Sequence, residues 1–135
     1  PLPLIQLIGE NDWGEDGGVD YDAMRTPAGL DRVAEYADGI GPWIPQLFEA
    51  DGLTPSPLVA AAHERGLMVH PYTLRADALS LNADSFEELQ RRVFIAAGVD
   101  GAFSDHADLT LHFLDQHFPA QSDMAAPEPI NHIRP

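Results

Sequence analysis

The sequence predicts an α/β fold of four parallel βα units, and three observations carry that expectation. Four short apolar runs alternate with stretches whose apolar residues recur at helical spacing. Each run is followed by such a stretch, which is the pattern of parallel strands joined by right-handed crossovers. Glycine and proline punctuate the boundaries between them.

The first run, Pro3 to Ile8, is Ile/Leu-rich and nearly unbroken, which suits a strand buried on both faces. A long polar loop follows from Gly9 to Arg25, carrying Asp12-Trp13 and Gly17-Gly18. Loops of that length inside a compact domain are often functional. Thr26-Pro27 reads as an N-cap with proline at the first helical position, and Leu30, Val33, Ala34 and Ala37 continue the helix. Gly39 to Ile44 is the second strand, weakened by its glycines and proline. Ser56-Pro57 opens a helix with Leu58, Ala61 and Ala62 on one side and Gly66 as its stop. Leu67 to Thr73 is the third strand. Ser85 with Glu88 three residues on predicts a capping box, followed by Leu89, Val93 and Ala96 and ended by Gly98. Val99 to Asp105 is the fourth strand, and Leu109 to Leu114 belongs to a last helix. Residues 119–135 read as an irregular proline-rich tail after a first segment of 1–118.

Composition narrows the function classes. The chain has 135 residues with 22 Asp+Glu against 7 Lys+Arg, all seven of them arginine, for a net charge of −15. Such a surface repels phosphate backbones and anionic membranes, so nucleic acid is not expected as a partner. The hydrophobic share of 44% is that of a globular chain. With no cysteine there is no disulfide framework, thiol nucleophile or Cys-ligated zinc. No apolar run approaches the ~20 residues of a membrane span. No signal-peptide pattern opens the sequence. Length alone suggests one domain. Four βα units, however, are half of a (β/α)8 barrel, which needs about 250 residues. An open four-stranded sheet is the alternative. The first loop, Gly9-Glu10-Asn11-Asp12, lacks a Gly-rich phosphate fingerprint and is acidic where one would lie.

Three segments together carry a resemblance: Tyr36-Ala37-Asp38-Gly39-Ile40-Gly41-Pro42, the run from Gly66 through His70-Pro71-Tyr72-Thr73 to Arg75, and Ala97-Gly98-Val99-Asp100-Gly101-Ala102-Phe103-Ser104-Asp105. With Leu4 to Ile8 and Asp12-Trp13, their order and spacing resemble the C-terminal half of the glycerophosphodiester phosphodiesterases, in particular the larger periplasmic type. The resemblance covers about Pro3 to Leu114. It implies a (β/α)8 barrel of which this chain supplies the last four strands. It further implies a metal-dependent hydrolase of lipid and glycerol metabolism, periplasmic or secreted, that splits glycerophosphodiesters into an alcohol and glycerol 3-phosphate. The family uses a divalent cation (Ca2+ or Mg2+) held by carboxylates, and two histidines as general acid and base. These sit around a His-Arg-Gly motif in the N-terminal half. No His-Arg-Gly triplet occurs here, so neither catalytic residues nor metal ligands are expected in this chain. The implied partners are the diester substrate and either the N-terminal half of the barrel or a second copy of the chain.

Six residues are candidates for substrate binding: Trp13, His70, Tyr72, Arg75, Phe103 and Asp105. His70 and Tyr72 lie two apart on one strand and so share a face. They are either substrate contacts at the barrel mouth or filling for a core layer, and the resemblance favours contact for Tyr72. Arg75 suits a phosphate oxygen by its planar fork, or a salt bridge to Asp77 or Asp105. Phe103 offers an apolar wall. Asp105 either holds Arg75 or caps the following helix. Trp13 is part of a lid or an anchor for its long loop. Gln6 is placed to hydrogen-bond inside the barrel. His106 stands where the family has an aromatic and reads as a solvated loop residue. The carboxylates Asp16, Asp20 and Asp22 do not match a calcium loop. His112 and His117 lack the i,i+4 spacing of a helical zinc pair and read as exposed. No G-x-S-x-G elbow is present.

Overall fold

The computed structural model describes residues 2–14 and 17–119, and the chain divides into two compact units, residues 1–105 and 106–135. The first unit holds a parallel sheet of three strands in the order β1-β2-β3, namely β1 (Ile5–Ile8), β2 (Gly39–Pro42) and β3 (Met68–Val69). Its register pairs Ile5 with Gly39, Leu7 with Gly41, and Gly39 with Met68. The chain is thus α/β with parallel strands, as its pattern predicts.

Local chemistry sets the helices. In α1 (Tyr21–Met24), Asp20 accepts from the Ala23 N–H. In α2 (Pro27–Val33), Thr26 accepts from the Gly29 N–H, with Pro27 at the first helical position. α3 (Leu58–Glu64) follows Ser56-Pro57, and α4 (Phe86–Gln90) is capped by Ser85, which accepts from the Glu88 N–H at 3.1 Å. The return half of the expected capping box is missing, because the Glu88 carboxylate is held by Arg92 at 2.8 and 3.0 Å. A π-helical turn, Arg91–Ala96, continues α4. Gly66 and Gly98 stand just past the helices at φ +72° and +75°, a conformation that favours glycine.

One face of the sheet carries the core. Ile8, Ile40 and Val69 are fully buried, together with Leu30 and Val33 of α2 and Leu58 and Ala62 of α3. Each of the Ile, Leu and Val side chains contributes roughly 1.5–3 kcal/mol by leaving water. The opposite face is shaped by the two glycines of β2. A Cβ on Gly41 would lie 2.7 Å from Leu7 Cδ2, and one on Gly39 would lie 2.8 Å from Ile5 Cδ1. Absent side chains on β2 therefore let those of β1 lean across it.

Three expectations are corrected. The run from Val99 to Asp105 is not a strand. It lies beside the end of β3, bonded through Asp100 N–H to Val69 O and Phe103 N–H to Pro71 O, with a single bridge between Leu74 and Ser104. Pro71 has no N–H to complete a ladder there. Strand β1 is not buried on both faces, since Leu4 is 57% and Leu7 53% exposed at the sheet edge. Gln6 accepts from the Tyr36 hydroxyl at 2.8 Å, with Tyr36 itself exposed, and so is not a barrel-layer residue.

The second unit contains α5 (Ala107–His117), in which the Phe113 and His117 rings stack at 4.1 Å and 24°. His112 is exposed, whereas His117 is half-buried, with Nδ1 2.9 Å from the Phe113 carbonyl oxygen. Of the expected proline-rich tail, residues 120–135 lie outside the described residues.

Candidate functional site at the carboxyl end of the sheet

In parallel α/β sheets, ligand sites gather where the strands end, because the loops there leave one edge together. Here the ends of β1, β2 and β3 bring Gly9 and Glu10, Trp43 and Gln46, and His70 and Tyr72 to that edge. Gln46, in the 3-10 turn Ile44–Leu47, ties two of these ends together. Its Nε2 donates to Gly9 O at 2.8 Å and to Glu10 Oε2 at 2.7 Å, while its Oε1 accepts from the Trp43 N–H at 3.0 Å. Glu10 also meets Arg25 at 3.5 Å, and Arg25 meets Asp22 at 2.9 Å.

The six predicted residues fall into this frame unevenly. Trp13 closes the 3-10 turn Asn11–Trp13 and meets Trp43 edge to face, with ring centroids 5.1 Å apart at 75°. Its six-membered ring lies on the bare backbone of Gly9, where a Cβ would come within 3.1 Å of Cε3. Tyr72 is the parallel bridge partner of Trp43, and its hydroxyl donates to Ile8 O at 2.7 Å, joining the third strand's end to the first. His70 and Tyr72 are half-buried while Val69 and Pro71, which alternate with them along the chain, are buried, the pattern of a shared face. His70 packs on Gly101, whose Cβ would stand 3.1 Å from the imidazole. That close approach is why residue 101 is small.

Arg75 is engaged by carboxylates. Asp77 receives its Nε at 3.1 Å and Nη2 at 2.8 Å, and Asp105 lies 3.7 Å from Nε. The hydrogen bonds Arg75 donates to Asp77, then the Asp77 charge, hold the guanidinium above its ordinary pKa. Of the two readings of Arg75, this geometry realises the salt bridge. Asp105 faces Arg75, and the N-cap position of α5 is His106. Phe103 is 44% exposed, with its backbone bonded to Pro71 O and to the Leu74 N–H. Sequence reading missed Glu10, Trp43 and Gln46 as site residues. The signal available was position, since Trp43 follows β2 directly and Glu10 follows β1.

Among the described residues, no three His, Asp or Glu side chains gather as a metal site. Those described residues therefore present no ready set of ligands for a divalent cation. No helix of the described residues is long and apolar enough to cross a membrane.

Comparison with known proteins gives the arrangement its context. Residues 1–109 match the model of the glycerophosphoryl diester phosphodiesterase family. A glycerophosphodiester phosphodiesterase of Haemophilus influenzae is 32% identical over 127 residues, covering 84% of this chain and 35% of the relative. That of Treponema pallidum is 31% identical over 127 residues, covering 84% and 36%. Glycerophosphodiester phosphodiesterase GDPD6 of Arabidopsis thaliana is 38% identical over 98 residues, covering 67% and 26%. The chain thus spans about a quarter to a third of the length of these relatives. With four fifths of its residues inside the family model and three parallel strands ending in one cluster, the chain belongs to the glycerophosphoryl diester phosphodiesterase family, a family of phosphoric diester hydrolases.

Proposed function

We propose that the chain forms the substrate-facing wall of a glycerophosphodiester phosphodiesterase, in the C-terminal half of a (β/α)8 barrel of the larger periplasmic type. The single observation that carries this reading is the family match over residues 1–109 in a chain spanning a third of its relatives. Trp13, Tyr72 and Phe103 supply apolar surface to the glycerophosphodiester at the carboxyl end of the strands. His70 lines the same face, and the Arg75–Asp105 pair borders it. The acid and base histidines and the carboxylates for Ca2+ or Mg2+ belong to the half of the barrel outside these residues. One feature supports that division: the sequence has no His-Arg-Gly triplet. The periplasmic or secreted location is part of the same proposal and rests on the resemblance.

The test is release of glycerol 3-phosphate from glycerophosphocholine with Ca2+ or Mg2+ added. The expected result is no turnover by these 135 residues alone and turnover once the flanking coding sequence is expressed with them. Turnover by the short chain at ordinary enzyme rates, about 1 s⁻¹ or more, would show the catalytic groups to be misplaced. An inactive longer polypeptide would sink the function itself.

A second reading rests on the open edge of β1. Leu4 and Leu7 are more than half exposed there, and one side of the strand has no partner strand among the described residues. Edges of that kind pair with other strands. On this reading the chain is a non-catalytic half-barrel module that closes on a partner or on a second copy. Light scattering separates the two, because a monodisperse monomer counts against the module.

A further inference from the structure

We propose that Arg92 is the latch of a cleft with two jaws, and that the turn at residues 80–82 is the jaw that moves when the latch is released. The device belongs to this chain's own loops and stands whether or not the phosphodiesterase reading does.

The cleft has a volume of about 280 Å³. One jaw, Glu49 to Gly52, and the other, Leu81 and Asn82, both line it, together with Pro45 and Phe48. The jaws meet where Gly52 faces Leu81. A Cβ at Gly52 would stand 3.5 Å from Leu81 O and 3.7 Å from Leu81 Cβ. Arg92 joins them at that point, its Nη1 donating to Gly52 O at 3.1 Å and to Leu81 O at 2.8 Å. Its Nε and Nη2 donate to Glu88 Oε2 at 3.0 and 2.8 Å, and the side chain is only 14% exposed. A planar guanidinium backed by a carboxylate is a rigid brace, and its charged donors make strong bonds.

The two jaws differ in what else holds them. The first is braced from within. Asp51 accepts from the Leu53 and Thr54 N–H groups at 2.8 Å each and from the Thr54 hydroxyl at 2.6 Å. The Glu49 N–H donates to Thr54 O at 2.8 Å, and the Gly52 N–H to Glu49 O at 2.9 Å. Among the described residues, the turn at 80–82 has one bond of its own, from the Ala83 N–H to Ser80 O at 3.1 Å. Leu81 and Asn82 also stand at φ +60° and +52°, the left-handed region, where a Cβ crowds the backbone. Two successive residues of this kind persist where their surroundings hold them. Here the hold is Arg92, which takes the Leu81 carbonyl in that conformation. Loss of the latch leaves the first jaw in place and lets the second relax to ordinary φ, which widens the cleft.

The chain has no cysteine, so Ala50→Cys and Ser80→Cys place one nitroxide label on each jaw of the full 135-residue chain. Ser80 avoids the two left-handed positions. Electron paramagnetic resonance is expected to give one short distance between the labels when Arg92 is present. Arg92→Gln should raise a longer-distance population at least about tenfold, since two bonds from a charged donor are lost. Arg92→Lys keeps the charge opposite Glu88 without the fork and should raise the same population less. It answers the question if the glutamine variant loses its secondary structure by circular dichroism. A control pair, Ala50→Cys with Glu87→Cys on α4, should keep its distance in both variants. Leu81→Gly keeps the carbonyl and removes the crowding, so Arg92→Gln should open the cleft by a smaller factor in that background. Unchanged distances between residues 50 and 80 in both Arg92 variants would overturn the latch. Lengthening of the control pair as well would show general loosening and overturn the moving jaw. Equal opening with Leu81 and with glycine there would overturn the release of backbone strain that drives it.

Discussion

Replacing Gln46 by alanine cuts the link between the ends of β1 and β2. Three hydrogen bonds disappear: two with backbone groups at 2.8 and 3.0 Å, and one to the Glu10 carboxylate at 2.7 Å. Neutral bonds contribute about 1 kcal/mol each and a bond to a charged group about 2 kcal/mol, for roughly 4 kcal/mol if none were replaced. Gln46 is half-buried, and the Glu10 side chain keeps a quarter of its exposure, so water takes over part of the loss. The expected destabilisation is about 2 kcal/mol. With a urea slope of roughly 1.5 kcal/mol/M, the unfolding midpoint falls by about 1.3 M at unchanged slope. Tryptophan emission is the natural probe, because Trp13 and Trp43 flank the link. Glu10→Gln keeps an acceptor but removes the charge shared with Arg25, and should cost about half as much. A midpoint shift below about 0.3 M in Gln46→Ala, with emission unmoved, would refute the claim that Gln46 organises this edge.

Two further predictions concern backbone and charge. Gly29→Ala places a Cβ against the Ala23 carbonyl oxygen and within 2.7 Å of Met24 Cα, both main chain, so it should cost at least about 2 kcal/mol or prevent folding. Gly17→Ala meets nothing within 4 Å and should stay within about 0.5 kcal/mol of the parent by urea unfolding, so equal effects at the two sites would refute the packing argument. The Asp51 carboxyl is lowered from 3.8 to about 2 by hydrogen bonds from the Thr54 hydroxyl, then from the backbone N–H groups of Thr54 and Leu53. A depressed carboxyl stabilises the fold above its unfolded pKa and loses that contribution as pH falls through its folded one. The 51–54 loop should therefore loosen between about pH 4 and pH 2, and an NMR titration of Asp51 midway near its ordinary value would refute the bonds.

What could be read from the sequence was local. Thr26-Pro27 and Ser85 announce helix starts because a capping oxygen needs only the N–H three residues on. Gly66 and Gly98 mark helix ends because a left-handed residue is a property of one position. The Glu10–Gln46 bond spans 36 residues and the Tyr72–Ile8 bond spans 64, and nothing near either partner signals the other. Arg75 shows the same limit, since a guanidinium beside a phosphate and one beside Asp77 look alike until the loop closes.

By itself, then, the sequence determined the parallel α/β class, the positions of its first three strands, a strongly acidic composition, and the family blocks around His70 and Asp105. Only the tertiary structure decided that Val99 to Asp105 runs beside the sheet without joining it, because Pro71 has no N–H to offer there. It alone decided that β1 is the outer strand of the sheet among the described residues and that Trp13 meets Trp43 over Gly9. Strand order and ring contact depend on which distant segments share space. No local preference encodes that, and packing does.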